Sequence, residues 1–182
     1  MITKVGTFET KSDELRITDP CYDKDVWCCG TVKNCEIGKW SAFLIDSNEG
    51  DWGIRIAQNI AIFGDVSVKE AQKILDEEKW KSEKFSVGVD SGQAGIFDDS
   101  QYPDDEVERG EYGDDTKFYG KCCDLTSGEN SGGVLDFGVV SSSGYGDGGY
   151  ECLTVSKNKK VVAVKIIFLD EIEKNLEDEN DE

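Results

Sequence analysis

Apolar and polar residues alternate in short runs along most of the chain, the period of two that belongs to strands with one buried face. After a short opening strand, "ELRITDPCYD" reads as a strand stopped at Asp19-Pro20, because proline cannot donate to a ladder. "TVKNCEIGKWSAFLID" predicts a hairpin turning at Gly38-Lys39, with Trp40, Phe43 and Ile45 on its second arm. "IRIAQNIAIF" alternates as a strand, and "KFSVGVDSGQAGIFDD" gives two strands around a Ser91-Gly92 turn. "KFYGKCCDLTS" and "GGVLDFGVVSSS" supply two more, and "GYECLTV" and "KVVAVKIIFL" pair across "SKNKK". The period changes once, near 67–80. There Ser67 and Glu70 form a capping box, and Ala71, Ile74, Leu75 and Trp80 make one apolar face. Eight or nine strands with one amphipathic helix predict a mainly β, β-rich α+β fold, either a compact antiparallel sandwich or an open barrel.

Composition sharpens this picture. The 182 residues suit one domain with a real core, placed at 1–169. The net charge of −19 is concentrated in two places. From Asp90 to Asp115 ten acids stand against one arginine, and from Asp170 to Glu182 eight acids stand against one lysine. The stretch 99–115 lacks periodicity and reads as a mobile acidic loop with room for a short helical turn, and 170–182 as an acidic, disordered tail. Phosphate contacts need Lys and Arg, so direct nucleic-acid binding is disfavoured, and the same sign argument disfavours an anionic membrane. A basic protein partner is favoured, with Asp104, Asp105 and Glu106 as the candidate contact residues. The start has no apolar signal-like run and no 18-residue apolar stretch occurs, which predicts a cytoplasmic location and seven reduced cysteines. Cys28-Cys29 and Cys122-Cys123 are adjacent pairs, not the spacing of a zinc site. Histidine is absent, which removes imidazole-based catalysis and metal ligation.

The glycines Gly144, Gly146 and Gly149 spell G-x-G-x-x-G. The residues after them are β-formers and open no helix, so a turn between strands is preferred to a phosphate cradle. Asp19, Asp90 and Asp147 each stand at a strand end beside Pro or Gly. Gathered on one rim, they are candidates for Mg²⁺ or Ca²⁺ ligation. The other reading, preferred for each, is a carboxylate that caps its own turn. "DSNEGDWGIRIA" from Asp46 superficially resembles a calcium loop, but its fifth position is glycine and Ala57 replaces the closing glutamate. Ser91 and Ser143 lack a G-x-S-x-G setting and read as turn hydroxyls, and Cys21 as a buried thiol. Trp40 and Trp52 are core or pocket aromatics. Arg55 is expected to pair with Asp90 or Asp147, or else to clamp an anionic ligand. No cofactor is called for beyond that Mg²⁺ or Ca²⁺.

"ITDPCYD", "GKWSAF", "EGDWGIRIA", "FSVGVDSGQAGIFDD", "YGKCCDLT" and "GVVSSSGYGDGGYECLTV" together resemble a bacterial and phage family known only as domain of unknown function 4241. Its pattern is an early Asp-Pro, a central V-D-S-G turn and a closing S-G-x-G-D-G-x-Y strand. The resemblance runs to Leu169 and implies that Asp19, Asp90, Ser91, Gly92, Ser143, Gly146, Asp147, Gly148 and Tyr150 match the family positions. It implies no activity.

Two function classes remain. One is an acidic interaction module that engages, as an inhibitor or immunity-type protein, a basic nucleic-acid-handling protein. The other is a carboxylate-based enzyme for a divalent metal or small ligand, using the rim of Asp19, Asp90 and Asp147 with Arg55, Ser91, Ser143 and Tyr150. The second gains weight only where the D-S-G and G-D-G turns meet in space.

Overall fold

The structure, a computed structural model, describes residues 1–170. Two antiparallel sheets stack face to face. The first has six strands in the order β1 (Ile2–Glu9), β4 (Lys39–Asn48), β5 (Ile54–Phe63), β11 (Lys160–Ile167), β10 (Gly148–Lys157), β6 (Lys81–Val89). The second has five, in the order β3 (Gly30–Val32), β2 (Leu15–Thr18), β7 (Gln93–Asp98), β9 (Gly138–Ser142), β8 (Gly132–Leu135). Both sheets are open, so the fold is a sandwich and not a barrel.

Alternation places Trp40, Ala42 and Leu44 of β4 in the core between the sheets, opposite Leu15, Ile17, Ala94, Ile96 and Val139. The outer faces are covered as well. Helix α1 (Val68–Glu77) lays Ala71, Ile74 and Leu75 over Phe43, Ile60 and Ile62. Its predicted capping box is present: Glu70 N donates to Ser67 Oγ (3.3 Å) and Ser67 N to Glu70 Oε2 (2.8 Å). A second helix, α3 (Phe118–Thr126), packs Phe118 and Cys122 against Phe97, Tyr102 and Val140 on the far face of the five-stranded sheet. Burial on both sides explains why every residue of β7 is buried.

Four expectations are corrected. "KFYGKCCDLTS" is a helix, not a strand; Phe118, Cys122 and Leu125 stand at i, i+4 and i+7 and share one buried face. The residues 31–46 do not form a hairpin, since β3 pairs β2 in one sheet while β4 pairs β1 and β5 in the other. Among the described residues there are three helices instead of one, since α3 replaces a strand and the short helical turn of the acidic stretch is α2 (Glu106–Arg109). That stretch is not a loose loop. Asp105 caps α2 through Glu108 N (2.9 Å), Arg109 bonds Asp23, Lys24 pairs with Asp104 (3.0 Å), and Tyr102 is buried in the core. The acidic tail expected at 170–182 lies, from residue 171 onward, outside the described residues. Among the described residues no helix is long and apolar enough to cross a membrane.

Candidate functional site

The early Asp-Pro, the V-D-S-G turn and the S-G-x-G-D-G-x-Y segment meet at one corner of the sandwich. β2 ends at Thr18, and Asp19 then turns its carboxylate across to the β6–β7 turn. Asp19 is completely buried and accepts four hydrogen bonds. Oδ1 takes Cys21 N (2.9 Å) and Ser91 Oγ (2.6 Å); Oδ2 takes Asp90 N (2.9 Å) and Ser91 N (2.7 Å). Two bonds per oxygen exhaust the lone-pair positions of a carboxylate. Next door, Ser143 N donates to Gly92 O (3.1 Å), tying the closing turn to the same corner. Ser143 Oγ donates to Gly146 O (2.8 Å), and Tyr150 OH reaches Ser143 O (3.1 Å) and Gly146 O (2.5 Å). Gly144 and Gly146 have φ of 58° and 115°, so the G-x-G-x-x-G is a tight turn into β10.

The candidate aspartates therefore do different work. Asp19 caps its own turn through Cys21 N, as expected, and at the same time holds the β6–β7 turn of another part of the chain. Asp90 and Asp147 are both exposed and line one open groove of about 650 Å³. The V-D-S-G and G-D-G turns thus do converge. Asp90 Oδ2 accepts the hydroxyl of Tyr22 (2.7 Å). Asp147 accepts no hydrogen bond among the described residues. Neither caps its own turn, contrary to the local-cap reading. With Asp19 fully engaged, the three do not form a shared ligand set, and among the described residues no group of three Asp, Glu or Cys is placed to hold a metal.

Arg55 joins neither Asp90 nor Asp147. Its Nε donates to Trp52 O (3.1 Å) and its guanidinium lies 5.5 Å from the ring centre of Tyr145. Trp52 and Tyr145 form an exposed edge-to-face pair, while Trp40 is core. Asp104, Asp105 and Glu106 are all exposed on the acidic excursion.

The nucleophiles near the corner are held protonated at neutral pH. Burial, reinforced by the Asp19 charge, pushes the Cys21 thiol up to about 12. Burial also pushes the Tyr119 hydroxyl up to about 12. Tyr22 is raised too, by burial and then by its bond to Asp90. Ser91 Oγ donates to an Asp19 carboxylate whose oxygens each accept a second hydrogen bond.

Trp27 and Tyr22 were invisible as site residues in the sequence. They lie in "CYDKDVWCCG", which has no periodicity, and a backbone contact closes this loop on the sheet. Gly88 N donates to Cys28 O (2.7 Å), and a Cβ at Gly88 would sit 2.7 Å from that of Cys28. A strand glycine facing an unassigned aromatic loop was the available signal. No known family model, curated protein or solved structure matches this chain.

Proposed function

We propose that this protein is an interaction module whose acidic excursion, 104–115, docks onto a basic surface of a partner protein, of the kind that nucleic-acid-handling enzymes carry. The observation that carries the reading is the ordered, two-part character of that surface. Val107 and Tyr112 are 72% and 81% exposed, and Glu106, Glu108, Glu111 and Asp115, exposed as well, stand within a few residues of them in the sequence. An aromatic anchor within a charged rim is the anatomy of a protein interface. The capped α2 and its ties to Asp23 and Lys24 preorganise the surface, which lowers the entropy lost on docking. The corner where the motifs meet supports a small-ligand site as a second reading, through the convergence of Asp90 and Asp147.

The test compares proteins captured from the native host by the wild type, by Glu106→Gln/Glu111→Gln/Asp115→Asn, and by Tyr112→Ala. None of these four residues anchors the excursion through a side-chain bond. A basic protein held at 0.1 M salt should be lost at 1 M salt, and both variants should release it at least tenfold faster or bind it tenfold more weakly. Equal capture by all three proteins rejects the reading.

A further inference from the structure

Trp27 is 91% exposed, the most exposed of the large apolar side chains among the described residues, yet the loop that carries it is pinned at several points. Tyr22 OH bonds Asp90, Tyr102 OH bonds Tyr22 O (2.6 Å), Asp23 and Lys24 reach the acidic excursion, and Cys28 O takes Gly88 N. The indole is therefore held out from a fixed support. It forms one wall of the groove that Asp90 and Asp147 line, with Val26 and Val89 beside it. Gly148 and Gly149 give the groove a stretch of bare backbone on β10, where Gly149 pairs with Gly88 and Gly148 with Val89 of β6, while Gly88 itself is covered by Cys28. Among the described residues no lysine or arginine lines the groove.

We propose that this groove binds an organic cation, a guanidinium or alkylammonium group, stacked on Trp27 and held by Asp90 and Asp147. Three features select that chemistry. Among aromatic side chains the indole face attracts cations most strongly. Asp147 and the Oδ1 of Asp90 have no hydrogen-bond donor among the described residues, so both oxygens are open to N–H donors from a ligand. The net charge of −19 biases the encounter towards cations and against phosphate or carboxylate ligands. The glycine stretch lets a flat group approach the backbone closely, and about 650 Å³ falls within the size of small-molecule sites. A bare metal ion would gain nothing from the indole wall or the glycine stretch. The cation has two sources: a free small amine, or an Arg or Lys side chain of a protein. Only the second source rests on the interaction reading above.

Calorimetric titration with agmatine, with its neutral analogue N-butylurea, and with a blocked Gly-Arg-Gly peptide tests the site. Agmatine should saturate with a Kd of about 1 mM or below, while N-butylurea should give no saturable heat. Trp27→Ala and Asp147→Asn should each weaken agmatine about tenfold with an unchanged melting midpoint. Glu106→Gln/Glu111→Gln/Asp115→Asn should stay within about twofold of the wild type, which separates this site from the acidic excursion. Tighter binding of the peptide than of agmatine assigns the groove to a protein side chain; the reverse assigns it to a free amine. Three results overturn the proposal: no saturation, equal binding of the neutral analogue, or an equal loss in Asp147→Asn and the excursion variant.

Discussion

Asp19 and Asp147 are both aspartates at glycine- or proline-flanked turns, yet one neutral substitution should separate them. Asp19→Asn turns an amide N–H₂ towards backbone N–H groups that need an acceptor, so it should cost as much as Asp19→Ala. Both should lose about 3 kcal/mol in denaturant unfolding, the range for stranding buried donors of a charged hydrogen bond. Asp147→Asn should stay within about 0.5 kcal/mol, as an exposed side chain without a fold contact does. A large loss for Asp147→Asn would mean that its carboxylate serves the fold. Asp98, at the opposite end of β7, carries the matching pH dependence. Burial opposes its charge, but donors from Ser12, Lys11 N, Gln101 and Ser100 outweigh burial and hold the carboxyl below its ordinary value. A native value below the unfolded one, about 3.9, means that its contribution is complete above that pH. The contribution is lost as pH falls through the native value. The Asp98→Ala variant should therefore show a flatter fall in stability below about pH 4 than the wild type. Parallel curves would remove Asp98 from the acid response.

At the scale of elements, legibility followed how locally each element is determined. Helix α1 could be read because Ser67, Glu70 and its apolar face lie within one segment. Helix α3 could not. Its N-cap is Lys117, without a side-chain cap bond, and Phe, Tyr, Cys and Thr favour strands. What makes it helical is the exposed apolar face of β7 and β9, a tertiary demand. The corner was legible in part for the same reason. D-S-G and S-G-x-G-D-G are turns by composition, but that Asp19 would reach the first turn and Ser143 the second depends on strand order. Arg55 was misplaced because charge complementarity carries no information about distance. Gly120 gives α3 its own prediction. Helix propensity alone says that Gly120→Ala should gain about 1 kcal/mol. A Cβ there would lie 1.9 Å from Asp114 O, so the 114–117 turn must be pushed off the helix. Overpacking of that kind costs about 1–3 kcal/mol, and the variant should melt below the wild type. A raised midpoint would show that α3 and the acidic excursion are not in firm contact.

Across the whole molecule, 39 acids against 20 bases set two opposing responses to salt. Like charges repel within the folded chain, and unfolding relieves that repulsion by spreading them apart. Raising ionic strength from 0.01 to 0.1 M shortens the screening length from ~30 to ~10 Å, which reaches across the spacing of the excursion's exposed carboxylates. The fold should therefore be stabilised over that range, by about 1 kcal/mol or roughly 3 °C in midpoint for a chain of this size. The few exposed ion pairs, such as Lys4–Asp65 and Lys157–Glu78, weaken under the same conditions, but such pairs contribute only about 0.2–1 kcal/mol each. Repulsion should win. Docking to a basic partner must respond in the opposite sense, with association slowed by the very salt that steadies the fold. Scanning calorimetry and association kinetics across one salt series read both signs in the same protein. A midpoint that falls from 0.01 to 0.1 M would show that the acidic residues are held mainly by ion pairs. The surface would then have little free charge left with which to steer a partner.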